Sequence, residues 1–132
     1  MRAILNLLLD TNILIWALDS PAKLSTAFVT EMESPKNDVY VSSISIWEVI
    51  IKSQIGKLTI PKKFEISIDA QGFTLLEFKS EHSFEILNLP LHHRDPFDRA
   101  LLAQARAENF VLLTSDLQLT KYKDQVKIRM ME

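Results

Sequence analysis

Apolar and polar positions alternate along this chain in two distinct patterns. Five short apolar runs have the length and residue types of buried strands: Ala3–Leu9, Asp38–Ser43, Phe73–Phe78, Phe110–Thr114 and Val126–Met130. Segments in which the apolar residues have helical spacing separate these runs. Because strands alternate with helices, the pattern predicts an α/β fold, a three-layer α/β/α sandwich with a mostly parallel central sheet.

Capping and breaking residues mark the helices. The helix around Glu48 is predicted to begin at a capping box, because Ser45 stands three residues before Glu48, and to end at Gly56. Further helices are predicted after Asp10 up to Pro21, from Ser25 to about Ser34, from Pro61 to Gly72, from Ser80 to Asn88 and from about Leu117.

One helix start is unusually rich in ionisable groups. In HHRDPFDRALLAQA, residues 92–105, Asp95 stands at the N-cap, Pro96 at the first helical position and Asp98 in the first turn. This helix is predicted to stop near Asn109. Either carboxylate can serve helix initiation alone, so a functional role for Asp98 depends on what else lies nearby.

Composition limits the classes of protein that this chain can belong to. The 132 residues are 47% hydrophobic and 24% charged, which is typical of a globular protein and predicts a single domain over residues 1–132. Cysteine is absent, which excludes disulfides, thiolate zinc sites and cysteine nucleophiles. The net charge of −2 does not by itself indicate a nucleic-acid binder.

The apolar N-terminus resembles a signal peptide only superficially. Asn6 and Asp10 interrupt the apolar run, and no small-residue cleavage site follows. We therefore predict a buried strand at this position, and a cytoplasmic protein with no membrane partner.

Four carboxylates are placed where ligands bind in open parallel sheets, at the carboxyl ends of the strands. Asp10 directly follows the first strand, Asp116 follows the strand at Phe110–Thr114 by two residues, and Glu48 is predicted in the first turn of the helix after the second strand. Asp98 begins the helix that precedes a parallel strand, and such a helix starts at the carboxyl edge. Four clustered carboxylates repel one another unless a cation compensates, and all-oxygen ligands suit Mg²⁺ or Mn²⁺.

Other candidates have simpler interpretations. The loop pair His92 and His93 is expected to face solvent or to make structural hydrogen bonds, and no histidine stands at ligand spacing to the acids. The aromatic residues Trp16, Trp47 and Phe97 have apolar neighbours and are expected in the core. Basic residues near the acids either contact phosphates, neutralise the acids or face solvent: Lys52, Lys57, Arg94 and Arg99.

Four segments together carry a family resemblance. They are LLLDTNILIWAL around Asp10, SSISIWEVIIKSQIGKL around Glu48, HHRDPFDRALLAQA around Asp98 and LLTSD around Asp116. In this order they resemble the sequence blocks of PIN-domain ribonucleases, specifically the VapC-like toxins of type II toxin–antitoxin pairs. The resemblance spans nearly the whole chain.

The resemblance implies a site and an activity. Asp10, Glu48, Asp98 and Asp116 would form a catalytic pocket that holds Mg²⁺ or Mn²⁺, with supporting polar roles for Thr11, Asn12, Thr114 and Ser115. The activity would be metal-dependent endoribonuclease cleavage of cellular RNA, such as tRNA or rRNA, by a water that the metal activates. The resemblance further implies a homodimer, a cognate VapB-like antitoxin, and operator DNA bound only through the antitoxin complex.

Three alternatives remain at this point. A HAD-like Mg²⁺-dependent phosphatase needs a second aspartate two residues after the first, and position 12 is Asn. A phosphoacceptor receiver domain expects adjacent acids after its first strand and a lysine after a late strand, which ILNLLLDTN and LLTSDL do not supply. A non-catalytic module could use the same acids only to bind a basic antitoxin or another partner.

Overall fold

The strands lie in the predicted apolar runs. The structure, a computed structural model, describes residues 4–131. Each strand is shorter than its run: β1 Asn6–Leu9, β2 Asp38–Ser42, β3 Thr74–Leu76, β4 Val111–Thr114 and β5 Lys127–Met130. Ala3, the predicted start of the first strand, lies outside the described residues.

Helices occupy the segments between the strands. Within the described residues there are six α-helices: α1 Thr11–Asp19, α2 Thr26–Glu33, α3 Ser43–Gln54, α4 Phe64–Ala70, α5 Ser80–Glu85 and α6 Pro96–Glu108. The helix predicted from about Leu117 is one of three 3₁₀ segments: Pro21–Lys23, Ile86–Asn88 and Leu117–Tyr122. In the part of the chain from 4 to 131, no helix has the length and apolarity that a membrane span requires.

The sheet is parallel throughout, with the order β3-β2-β1-β4-β5. β1 lies in the centre, where Leu8 pairs with Tyr40 of β2 on one side and with Leu112 of β4 on the other. Strand order therefore reverses between β1 and β4, and a crevice forms outside their carboxyl ends.

Successive side chains of the central strands enter two separate cores. Leu8 packs with α6 residues such as Leu101 on one face, whereas Leu7 and Leu9 pack with Ile13 of α1 on the other. Because side chains of a strand alternate between the two faces of a sheet, a continuous apolar run is required when both faces are covered. The predicted three-layer α/β/α architecture is confirmed.

The start of α3 differs from the sequence prediction. Ser42 is the N-cap, and its hydroxyl accepts a hydrogen bond from the Ile44 amide at 3.0 Å. Ser45 is buried inside the helix and Glu48 lies in its second turn, so the predicted capping box was wrong. The reason is that β2 passes into α3 without a loop, which moves the helix start to Ser43.

The start of α6 agrees with the sequence prediction. Asp95 is the N-cap, and its Oδ1 accepts hydrogen bonds from the amides of Phe97 at 2.8 Å and Asp98 at 3.1 Å. The helix ends at Asn109, whose φ of 60° is left-handed, a conformation that asparagine tolerates better than most residues. Asp98 is thus held in the first turn of a well-capped helix.

Candidate metal and active site

The carboxyl ends of β1 and β4 place two of the predicted acids side by side. Asp10 directly follows β1, and its amide donates a hydrogen bond of 3.0 Å to the carbonyl of Leu113 in β4. Asp116 follows β4 by two residues. Both acids therefore lie at the point where the strand order reverses.

Asp10 is almost completely buried, with 4% of its surface exposed. Its Oδ1 accepts a hydrogen bond of 2.9 Å from the Ile13 amide at the start of α1, and its Oδ2 accepts one from the Thr114 hydroxyl. Burial raises the pKa of Asp10 to about 6; the two hydrogen bonds oppose this shift, and the charges of Asp116 and Glu48 add to it. This carboxylate is costly to ionise unless a cation lies beside it.

Glu48 is also buried and has a partner for each carboxylate oxygen. The Thr11 hydroxyl lies 2.5 Å from Oε1 and 3.1 Å from the Ser45 hydroxyl. The Lys52 ammonium, one turn further along α3, forms an ion pair with Oε2. Because Ser45 lies inside α3, its hydroxyl faces the interior beside Thr11 instead of capping the helix.

Asp98 points from the first turn of α6 toward the same acids. Its Oδ2 lies 2.8 Å from Nε2 of His93, and about a fifth of the side chain is exposed. Burial raises the pKa of Asp98 to about 6. The hydrogen bond from His93 opposes this shift, and the charges of Asp95 and Glu48 add to it. Asp98, like Asp10, is therefore costly to ionise unless a cation lies beside it.

His93 is a site residue that the sequence reasoning did not find. Its imidazole and the carboxylates of Asp98 and Asp116 present ligand atoms within 4.8 Å of one another. The buried hydroxyl of Tyr122 accepts hydrogen bonds from the amides of His92 at 3.0 Å and His93 at 2.9 Å, which holds the loop in place. No spacing in the sequence reveals this placement, because it depends on Tyr122, some 29 residues away.

Thr114 joins the two acids of the strand ends. Its hydroxyl, fully buried, donates to Asp10 and accepts a hydrogen bond of 3.0 Å from the Asp116 amide. Asp116 in turn caps the following 3₁₀ segment, since its Oδ1 accepts from the Gln118 amide at 2.9 Å. Ser115 lies between these two residues and is half-buried.

One cleft of about 160 Å³ collects these groups. It is lined by Asp10, Thr11, Asn12, Glu48, Lys52, Asp95, Asp98 and Asp116. The volume has room for a cation with several waters, since each water occupies roughly 30 Å³. The donors are carboxylate and hydroxyl oxygens, which fit Mg²⁺ or Mn²⁺; the nearby imidazole of His93 suits Mn²⁺ better than Mg²⁺.

The basic residues divide into two groups. Lys52 lines the acidic cleft, whereas Arg94 and Arg99 line a separate cavity beside Leu91. The Arg99 guanidinium donates hydrogen bonds of 3.0 Å to the carbonyl of Pro90 and to the Tyr122 hydroxyl. Arg99 thereby ties the His92–His93 loop to the rest of the protein, while Arg94 is exposed.

The aromatic residues do not all lie in the core. Trp16 and Phe97 are half-buried against the two apolar cores. Trp47 is 55% exposed, and its ring meets that of Phe97 edge to face at 5.4 Å. The expectation that Trp47 is a core residue was therefore wrong; apolar neighbours in sequence do not specify which side of α3 faces the sheet.

The chain matches a known protein family. The family model of the PIN domain matches residues 7–125, which is most of the chain and includes all four acids. No curated protein matches the chain significantly.

Solved structures share the fold at low sequence identity. The VapBC2 complex from Rickettsia felis, bound to a promoter DNA fragment, has 19% identity and a TM-score of 0.71, covering 97% of this chain and 100% of the other. The DNA-bound VapBC of Salmonella typhimurium has 16% identity and a TM-score of 0.70, covering 96% and 98%. VapBC-5 from Mycobacterium tuberculosis has 15% identity and a TM-score of 0.60, covering 99% of each chain.

Proposed function

The chain belongs to the PIN domain family, and on that premise we propose that it is a metal-dependent endoribonuclease, the toxin of a VapBC-type toxin–antitoxin pair. One observation carries the proposal. Asp10, Glu48, Asp98 and Asp116 come from four separate segments and meet in a single cleft at the reversal of strand order. Burial makes Asp10 and Asp98 costly to ionise, and a divalent cation bound in the cleft would offset that cost.

The four acids would hold Mg²⁺ or Mn²⁺ in the cleft. Bound there, the cation supplies Lewis-acid stabilisation of the scissile phosphate and lowers the pKa of a water. Thr114 and the Ile13 amide keep the Asp10 carboxylate in a fixed orientation, and Thr11 does the same for Glu48. The hydrogen bond from His93 orients Asp98.

Proton transfer from the attacking water needs a base within reach of that water. The Asp98 side chain is 20% exposed, whereas Asp10 is almost completely buried, so Asp98 can accept a proton that Asp10 receives less easily. With water as nucleophile, the RNA 2′-hydroxyl is not consumed. The products would carry 5′-phosphate and 3′-hydroxyl ends, and 2′,3′-cyclic phosphate ends would contradict this mechanism.

We also propose the partners of this protein. The similar structures from R. felis and S. typhimurium are VapBC complexes bound to DNA, which supports a VapB-like antitoxin and operator DNA bound through the complex. Exposed apolar side chains are available for such contacts and for a homodimer, among them Trp47, Ile55, Phe84, Leu87 and Leu91. The RNA would be single-stranded or in a loop, because an unpaired strand can enter a narrow cleft more easily than a duplex.

Incubation of total RNA with the purified protein in Mg²⁺, Mn²⁺ or EDTA tests the activity. Asp98→Asn removes a carboxylate from the cleft and should abolish cleavage. Asp95→Asn is the matched control, because asparagine is an equally good N-cap and keeps the acceptor for the Phe97 amide. Cleavage should remain within a few-fold of the parent in this control.

Discrete fragments that require the metal and vanish only with Asp98→Asn would support the nuclease. Equal cleavage by the parent and by Asp98→Asn would show that the activity comes from a contaminant or from another site. If the parent fails to cleave tRNA and rRNA but binds a synthetic antitoxin peptide through the acids, the cleft is a binding site and the catalytic proposal is wrong.

A further inference from the structure

Lys52 is the basic residue that lines the acidic cleft in the part of the chain that the structure describes. Its ammonium pairs with Oε2 of Glu48, one helical turn earlier on α3. The same carboxylate is one of the four that are proposed to hold the cation. A lysine at this position therefore contacts an oxygen that a metal ion would also use.

The charges around Lys52 are strongly negative. Asp95 and Asp98 line the same cleft, so carboxylates other than Glu48 also lie near the ammonium. A lysine ammonium, with an ordinary pKa of about 10.4, is protonated at physiological pH. The ammonium offsets part of the repulsion among the acids, which is the task that the metal ion performs when it is bound.

Lys52 also has the freedom to change partners. About a third of its side chain is exposed, and its flexible four-carbon stem projects from the helix over the cleft. A divalent ion beside Glu48 would repel the ammonium. An anionic phosphate oxygen of a polynucleotide that spans the cleft is then a favourable partner for the ammonium.

We infer that Lys52 is an internal counter-cation that competes with the metal ion for Glu48 and then binds the RNA phosphate once the metal is in place. This inference rests on the proposed nuclease function. It assigns to one residue two effects of opposite sign, since Lys52 weakens metal binding and strengthens RNA binding. A residue that merely supports the fold would weaken both when it is replaced.

The variant Lys52→Met separates these effects, because methionine keeps an unbranched apolar stem and removes the charge. Lys57→Met is the matched control: Lys57 lies five residues later, is exposed and does not line the cleft. Lys52→Arg retains the charge and should keep metal affinity close to that of the parent. Urea unfolding of each variant establishes that it is folded.

Mn²⁺ binding is measured first, by calorimetry with the metal alone. Removing a positive charge a few ångströms from a divalent ion should tighten binding by Lys52→Met about three- to thirtyfold, while Lys57→Met leaves it unchanged. Unchanged or weaker Mn²⁺ binding by Lys52→Met would overturn the inference. This readout does not depend on cleavage.

RNA binding is measured next, with a short mixed-sequence single-stranded RNA in the presence of Ca²⁺, across a series of salt concentrations. Loss of one phosphate contact should weaken binding and make the slope of log affinity against log salt shallower by about 0.7. An unchanged slope would show that Lys52 does not bind an RNA phosphate, and it would overturn that part of the inference. If Mn²⁺ binding tightens as expected but the parent neither binds nor cleaves RNA, the competition for Glu48 stands and the proposed nuclease function fails.

Discussion

Nε2 of His93 lies 2.8 Å from Oδ2 of Asp98, and this contact links a loop to the acid that begins α6. The loop itself is held by the Tyr122 hydroxyl, which accepts hydrogen bonds from the amides of His92 and His93. The position of Asp98 therefore depends on a residue of the 3₁₀ segment after β4. Partners that orient a metal-binding carboxylate are typically worth a factor of about 10–100 in metal affinity.

Replacement of His93 should weaken metal binding without unfolding the protein. We expect His93→Ala to raise the dissociation constant for Mn²⁺ about 10- to 100-fold, measured by calorimetry, and His93→Gln to recover part of the loss through its amide donor. His92→Ala is the control, because the exposed His92 side chain packs on the ring of Tyr122 outside the cleft. If His93→Ala and His92→Ala bind Mn²⁺ equally well, the contact does not orient Asp98.

The pH dependence of stability follows from the two raised carboxyl pKa values. Asp10 and Asp98 have a pKa of about 6 in the folded protein, against an ordinary value of 3.8. Between these values the folded state binds more protons than the unfolded chain, so the free energy of unfolding falls as pH rises from about 4 to about 6. Above that range both carboxyl groups are ionised in the folded and the unfolded state, and they cause no further fall in the free energy of unfolding.

Urea unfolding in EDTA checks this dependence. Asp98→Asn removes one of the two groups, so it should be more stable than the parent at about pH 7.5, by on the order of 2 kcal/mol, and the difference should shrink toward about pH 4. Asp124→Asn, at an exposed position, should follow the parent. If the free energy of unfolding of the parent rose relative to that of Asp98→Asn as the pH rises, ionisation of Asp98 would stabilise the folded protein, opposite to our expectation.

Arg99 should contribute more to stability than its exposed neighbour Arg94. Its guanidinium satisfies the Pro90 carbonyl and the Tyr122 hydroxyl, so Arg99→Gln should lower the free energy of unfolding by about 1–3 kcal/mol. Arg94→Gln, at an exposed neighbour, should change it by no more than about 0.5 kcal/mol. Equal stability of the two variants in urea would mean that the Arg99 hydrogen bonds contribute little.

The hydroxyl of Thr114 should matter for activity beyond its packing. Thr114→Val keeps the shape and removes the donor to Asp10 and the acceptor for the Asp116 amide. We expect the RNA cleavage rate in Mn²⁺ to fall about tenfold or more, as when a partner of a metal-binding carboxylate is lost. Thr114→Ser keeps the hydroxyl and should restore most of the rate, whereas a Val variant that cleaves as fast as the parent would show that the hydroxyl is not needed.

The apolar runs and the capping residues were sufficient to predict the class of fold. A run such as Leu7–Leu9 has to be apolar at every position when helices cover both faces of the sheet, and Asp95 with Pro96 marks a helix start directly in the chain. The same local signals predicted that four acids would stand at the ends of strands or the starts of helices. Their joint placement also carried the family resemblance.

Only the tertiary structure decided which neighbours those acids have. Thr114 reaches Asp10 across 104 residues, and Tyr122 positions His93 across 29, so neither contact leaves a periodic signal in the sequence. Local patterns also misplaced Ser45, because β2 passes into α3 without a loop and the helix therefore begins at Ser43. Periodicity identifies the strands and helices, whereas strand order and loop geometry, which arise from contacts distant in the chain, determine what each polar side chain meets.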